Sequence, residues 1–155
     1  MTGITAETRI RPAQAADAAR IAEIEIFNYR LHFYPFFQND PFYFEELQVP
    51  ALMERYIKDA SLLANSYVYD DGVIKGFVRL NSSEIQKLFV EPVLQNKGIG
   101  AALLQFAVVQ KNARFLWALE KNERAIAFYQ RNGFHLTNER KLEEDTTEYL
   151  VRMER

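Results

Sequence analysis

The stretch Leu88-Phe89-Val90-Glu91-Pro92-Val93-Leu94-Gln95-Asn96-Lys97-Gly98-Ile99-Gly100-Ala101 changes character in its middle. Glu84 to Val90 reads as a strand, in which Glu84, Gln86 and Lys87 are mixed with Ile85, Leu88, Phe89 and Val90, and Pro92 stops it. Gly98 and Gly100 then open an apolar helix through Ala101, Leu103, Leu104, Ala107 and Val108. The first turn of a helix leaves backbone N–H groups without partners, and the helix dipole adds partial positive charge there. Glycines let a phosphate approach the backbone closely. The loop is therefore a candidate pyrophosphate cradle, to which Lys97 adds charge. The plainer reading is a glycine-punctuated turn entering a helix.

Spacing tests two familiar phosphate loops. A Walker loop ends in Gly-Lys-Ser/Thr, and Gly98-Ile99-Gly100 is not followed by one. A dinucleotide fingerprint needs a third small residue, where Leu103 stands. Glu120 lies where a ribose-binding acid would fall, but the six residues from Pro92 to Lys97 make too long an exit for the tight dinucleotide turn.

Working outward, Ile4 to Arg11 suits a short strand ended by Pro12. Asp17 to Leu31 places Ile21, Ile24, Phe27 and Leu31 on one helical face. Phe33 to Phe44 is rich in aromatics, and Pro35 and Pro41 argue against one continuous helix there. Glu45 to Lys58 is helical again, with Pro50 near its start or at a break. Ser66 to Tyr69 and Val73 to Leu80 form a hairpin around Asp70-Asp71-Gly72. Phe115 to Leu119 is a short apolar strand. Asn122 starts a helix that stops at Asn132-Gly133. Residues 134–140 and 147–153 read as two last strands. The order predicts an α/β (α+β) fold with a mixed, mostly antiparallel sheet, as one domain over residues 1–155.

The chain has 155 residues and no cysteine, which removes disulfides, thiolate nucleophiles and Zn–Cys clusters. Two histidines far apart, His32 and His135, argue against a metal site. A net charge of −2 with no basic stripe argues against nucleic-acid binding. No apolar run approaches a membrane span, and Met1 to Arg11 has no apolar secretory core, so a cytoplasmic location is expected.

Two motifs together resemble a known family. Gln95-x-x-Gly98-x-Gly100, after Leu88-Phe89-Val90 and Pro92, resembles the acyl-CoA loop of the GNAT superfamily of N-acetyltransferases. Asn122-x-x-Ala125-x-x-Phe128-Tyr129-x-x-x-Gly133-Phe134 resembles that family's later helix, whose Asn and Tyr face the cofactor. The second half is similar to bacterial polyamine acetyltransferases of the PaiA type. The resemblance implies acetyl-CoA as co-substrate and direct transfer to a primary amine, a small polyamine-like amine first and a peptide or protein amine second. It implies cofactor contacts from Leu88, Val90, Gln95, Asn96, Lys97, Gly98, Ile99, Gly100, Ala101 and Asn122. Family members are often homodimers, and the terminal strand pair offers an edge for one. A CoA-binding regulatory module without turnover is the alternative function.

Amine acetylation needs a neutral amine, although a free alkylamine has a pKa of about 10.4, like lysine. It also needs donors for an oxygen that becomes negative, and a proton or screen for the departing thiolate. For the base, Glu84 is the candidate, because the histone-acetylating branch of the family uses a glutamate at this offset from the loop. A solvent-facing strand end is the alternative, and Glu120 competes for the role. For the carbonyl, the resemblance implies backbone N–H groups of Leu88 to Val90. For the leaving group, Tyr129 is the candidate, since a phenol is protonated at neutral pH. Asn122 lies seven residues before Tyr129 and so shares its helical face, although an N-cap explains Asn122 as well.

Nine of the eighteen residues from Phe27 to Phe44 are aromatic. They suit packing under two helices, or a substrate wall that accepts cations. Asp40, Glu45 and Glu46 flank them and would steer a cationic amine, or simply face solvent. His32, in the same segment, suits packing or surface better than catalysis.

Overall fold

The computed structural model describes residues 9–155. Most of the strand read over Ile4 to Arg11 lies outside the described residues, and β1 is Ile10–Pro12. Helix α1, Ala18–Asn28, runs on through a wider π-helical turn over Tyr29–Phe33 into α2, Tyr34–Phe37. Gln38 ends α2 in the left-handed conformation, and a second π-helical turn covers Pro41–Glu46. The prolines break this region into pieces, as expected. Helix α3 is Val49–Lys58, shorter than the reading from Glu45, and Pro50 sits in its first turn, where its missing N–H costs nothing. Helix α4, Ala60–Ala64, was not expected from the sequence; Asp59 caps it by accepting from the Ser61 N–H.

Strands β2, Ser66–Asp70, and β3, Ile74–Asn81, form the hairpin, and β4 is Glu84–Val90. Helix α5, Ile99–Lys111, strand β5, Phe115–Leu119, and helix α6, Glu123–Arg131, follow. Strands β6, His135–Leu142, and β7, Tyr149–Glu154, close the chain, each shifted a residue or two from its sequence limits. Among the described residues the sheet has seven strands in the order β1-β2-β3-β4-β5-β7-β6. All neighbours are antiparallel except β4 and β5.

Both faces of the sheet are covered. Leu103, Leu104 and Ala107 of α5 pack on Val78, Val90, Leu116 and Met153, with Phe128 and Tyr129 of α6 at the margin. Ile21 and Ile24 of α1 pack on Val68 and Phe77, with Leu52 and Tyr56 of α3 behind them. The edge strand β6 carries Glu139, Arg140 and Lys141, charges that discourage pairing with another sheet.

One irregularity resets β4. Lys87 lies opposite Arg79, but the next β3 residue, Leu80, lies opposite Ile85, so Gln86 is an extra residue in a β-bulge. Strict alternation would put Glu84 on the face of Leu88. The bulge puts it instead on the face of Lys87 and Phe89, toward α1 and α3.

Candidate active site

Strands β4 and β5 pair only at Glu84–Phe115 and Ile85–Leu116. Beyond Ile85 they diverge, and the backbone of Lys87 to Val90 has no β5 partner. The Val90 carbonyl is filled instead by side chains, accepting from Asn28 Nδ2 at 2.9 Å and Gln95 Nε2 at 3.2 Å. A cavity of about 850 Å³ occupies the opening, lined by Leu88, Phe89 and Val90 on one strand and Trp117, Ala118 and Leu119 on the other.

The glycine loop sits at the wide end. Asn96 and Gly98 both take positive φ, 65° and 87°. Within this loop only Gly98 uses glycine's freedom in that region; Asn96 tolerates it through its short amide side chain. The Ala102 N–H makes the bond back to the Gly98 carbonyl, so Ile99, Gly100 and Ala101 lie ahead of it with free N–H groups in the first turn of α5. A Cβ on Gly100 would stand 3.3 Å from the Phe128 ring, so this glycine lets α5 and α6 close on the cavity.

The structure distributes the sequence candidates unevenly. Glu84, Leu88, Val90, Gln95, Asn96, Gly98, Gly100, Ala101, Asn122 and Tyr129 all line the cavity. Lys97 does not line it, and the Ile99 side chain packs in the core with 7% exposure, leaving only its N–H toward the loop. Gln95 is a brace: its amide donates to Asn28 Oδ1 and Val90 O and accepts from Arg124 Nη2 at 2.5 Å. Asn122 caps α6, accepting from the Ala125 N–H at 3.2 Å. Glu120 is out of the cavity, half-buried and held in a two-bond pair with Arg140 at 2.7 and 2.9 Å.

Tyr129 packs between Phe128 and Phe134, with ring centroids 5.2 and 6.0 Å away. Burial among these rings pushes its phenol up to about 12, so it holds its proton at any ordinary pH. Glu84 is half-buried on the strand at the narrow end, about 20 Å along β4 from Val90 at the usual strand rise.

A buried polar cluster under the narrow end is invisible in the sequence. Glu25 of α1, 3% exposed, accepts from the Tyr56 hydroxyl at 2.5 Å and lies 3.5 Å from Lys87 Nζ and 3.9 Å from Arg79 Nη1. Arg79, also 3% exposed, donates to the Tyr56 hydroxyl at 2.5 Å and to Ser66 Oγ at 3.0 Å. Lys87 also donates to the Tyr29 hydroxyl. Burial lowers the Lys87 pKa, Glu25 opposes that, and the nearby Arg79 and Arg55 lower it further. The only sequence signal for this cluster was Lys87 itself, a cation inside a largely apolar strand.

The aromatic segment divides its work. Tyr29 and Phe33 line the cavity and meet Phe89 edge-on at 5.4 and 6.3 Å, Tyr43 is buried, and Phe27, Phe42 and Phe44 remain exposed. His32 lines the cavity with Nε2 3.1 Å from Arg124 Nη1, and burial followed by that cation lowers its pKa. Asp40, Glu45 and Glu46 are all exposed and outside the cavity lining.

Residues 63–136 match the family model of the acetyltransferase (GNAT) domain. Over that stretch, just under half of its length, the chain is similar to a GNAT domain. Its sequence is 32% identical over 91 residues to peptidyl-lysine N-acetyltransferase YiaC of Escherichia coli, a match covering 58% of this chain and 60% of that protein. The chain thus spans about three fifths of the length of the curated relatives it matches. An N-acetyltransferase from Staphylococcus aureus has the same fold, with a TM-score of 0.76 at 12% identity over 94% of this chain and 98% of that one. The PaiA N-acetyltransferase of Thermoplasma acidophilum, solved in complex with coenzyme A, gives a TM-score of 0.65 at 18% identity over 92% and 96%. The expected mixed sheet is observed, and the diverging β4 and β5 are what opens it. Among the described residues no group of three potential metal ligands occurs, and no helix is long and apolar enough to cross a membrane.

Proposed function

We propose that the chain is an acetyl-CoA-dependent N-acetyltransferase acting directly on a primary amine. The observation that carries this reading is the parting of β4 from β5 beyond Ile85, with a cavity running from the opening to the glycine loop. The residues suit coenzyme A. The free N–H groups of Ile99, Gly100 and Ala101 suit a pyrophosphate, and the unpaired backbone of β4 suits the amides of a pantetheine arm. When bound, acetyl-CoA supplies a thioester as electrophile.

The chain's own groups then divide three tasks. Backbone N–H groups of Leu88 to Val90 donate to the carbonyl oxygen as it gains charge, in a site that excludes much of the water. Glu84, half-buried at the narrow end, takes the proton that the acceptor ammonium must lose. Tyr129 donates its phenolic proton toward the departing sulfur and recovers one afterwards. Gln95, fixed by Asn28, Val90 and Arg124, is a positioning residue that holds α1, β4 and α6 together around the slot. Asn122 keeps its Nδ2 for a pantetheine carbonyl while Oδ1 caps the helix.

The acceptor is a primary amine on a peptide or a small molecule. The name of the curated relative supports a peptide lysine. Support for a polyamine rests on the PaiA-type similarity of the second half and the acidic overall balance, and Asp40, Glu45 and Glu46, the carboxylates placed to steer a cationic amine, do not line the cavity. The reading is tested by calorimetric titration with acetyl-CoA, followed by mass analysis of an amine panel. Acetyl-CoA binding together with an N-acetylated product is expected. Binding without product from any amine would favour the regulatory module.

A further inference from the structure

Charge at the acceptor end of the cavity points to a particular kind of amine. The cavity wall carries six basic side chains and three acidic ones, although the whole chain has a net charge of −2. Some of that excess belongs to the nucleotide end, where Arg124 is bonded to Gln95 of the glycine loop. The narrow end, toward α1 and α3, still holds Arg55, Arg79 and Lys87 against Glu25 and Glu84. Glu25 is already shared by Arg79 and Lys87. Glu84 and Arg55 remain, one of each sign, and neither has a salt-bridge partner among the described residues.

Arg55 is exposed on α3, one residue before the buried Tyr56, and its charge reaches Lys87 strongly enough to help lower that lysine's pKa. Three basic groups, Arg55, Arg79 and Lys87, share that wall with two carboxylates, and one of these, Glu25, is already shared by Arg79 and Lys87. An acceptor carrying only positive charge would meet that wall unfavourably. An acceptor carrying an oxyanion would relieve it, through the planar two-pronged donor of an arginine. Glu84, on the face to which the Gln86 bulge turns it, then takes the ammonium.

Resting on the transferase reading above, we infer that the acceptor is a primary amine that also bears a carboxylate or similar oxyanion, with the amine toward Glu84 and the anion toward Arg55 and Lys87. The carboxylate belongs to a free amino acid-like molecule or to an acidic side chain beside a peptide lysine, and the test separates these sources.

The experiment measures kcat/KM for matched acceptors by thiol release: aminohexanoate, hexylamine and diaminohexane, then lysine peptides flanked by Glu or by Arg. The expected result is a preference of at least about tenfold for the carboxylated member of one series over its cationic counterpart. Whichever series shows the preference names the source. In Arg55→Ala that preference falls by about tenfold, and in Arg55→Glu it inverts, while acetyl-CoA affinity, read by calorimetry, separates a local effect from a folding defect. Equal or better use of diaminohexane and the Arg-flanked peptide by the wild-type chain would overturn the inference and leave the transferase reading standing. So would an Arg55→Ala variant that loses activity equally on every acceptor. Silence from all acceptors, with acetyl-CoA bound, would overturn both.

Discussion

Ile85 lies opposite Leu116 in the sheet, and no residue of β4 after it pairs with β5. Five more residues of β4 line the cavity on one side of the gap and three of β5 on the other. A parallel pair that opens after two residues leaves strand backbone facing an apolar slot. Backbone polar groups left without a strand partner suit a ligand with amides of its own, as proposed above.

Tyr129→Phe removes a hydroxyl that sits among aromatic rings. Turnover is expected to fall at least about tenfold, within the range for loss of a proton donor, with acetyl-CoA affinity changed less than about twofold. Because burial holds the phenol at about 12, the wild-type rate should show no alkaline loss from this group near its ordinary pKa of about 10. Steady-state rates from pH 6 to 11, roughly the accessible range, check both. A descending limb at the ordinary tyrosine value that disappears in the phenylalanine variant would mean that the ring is not shielded as described.

Glu84→Gln keeps the shape of the strand end and removes the base. A loss of about a hundredfold in kcat/KM at neutral pH is expected. The loss should shrink as pH rises toward the acceptor amine's own pKa, because the amine then arrives neutral. Glu120→Gln, which breaks a pair with Arg140 on the surface, should leave the rate nearly unchanged. The two pH–rate profiles decide between the glutamates.

Gly100→Ala and Gly98→Ala separate crowding from strain. The first places a methyl 3.3 Å from Phe128 and should weaken acetyl-CoA binding about tenfold while changing stability little. The second meets no neighbour within 4 Å but must hold φ near 87°. It should cost about 1 kcal/mol of stability, the price of a left-handed conformation for a residue with a Cβ. Calorimetric affinities and denaturant unfolding of both variants check this pair.

The cluster around Glu25 should be structural as well as electrostatic. Glu25→Ala leaves Arg79 buried and Lys87 half-buried without their carboxylate, and a loss of about 3–5 kcal/mol is expected. Tyr56→Phe keeps the ring and loses two hydrogen bonds, one to each charge, for about 1–3 kcal/mol. Urea unfolding at neutral pH measures both. A Glu25→Ala protein as stable as the parent would show that the cluster is solvated.

Much of this was legible in the residues. Pro92, Gly98 and Gly100 marked where a strand gives way to a helix, and Asn122 and Gly133 bracketed α6, because backbone conformation at those points depends on residue type. The parting of β4 from β5 was not legible from Leu88 to Val90 alone, since backbone donors leave no side-chain signature; only the family resemblance implied it. The Gln86 bulge was hidden too, because it is fixed by pairing with β3 and not by any local preference of glutamine. Helix α4 was missed because five residues are too few for a helical period to show. The cation-rich wall joins Arg55, Arg79 and Lys87 from three separate elements, and only the tertiary fold brings them together.

The most direct test of the central claim is free-thiol release from acetyl-CoA by the purified chain, with and without a primary amine, in samples where acetyl-CoA binding is measured in parallel. Binding is expected, with little release without amine, and with release that rises with amine concentration and falls at least about tenfold in Tyr129→Phe. Absence of binding would contradict the reading of the glycine loop and of the gap between β4 and β5. Binding with no amine-dependent release across small amines and lysine peptides would contradict the transferase.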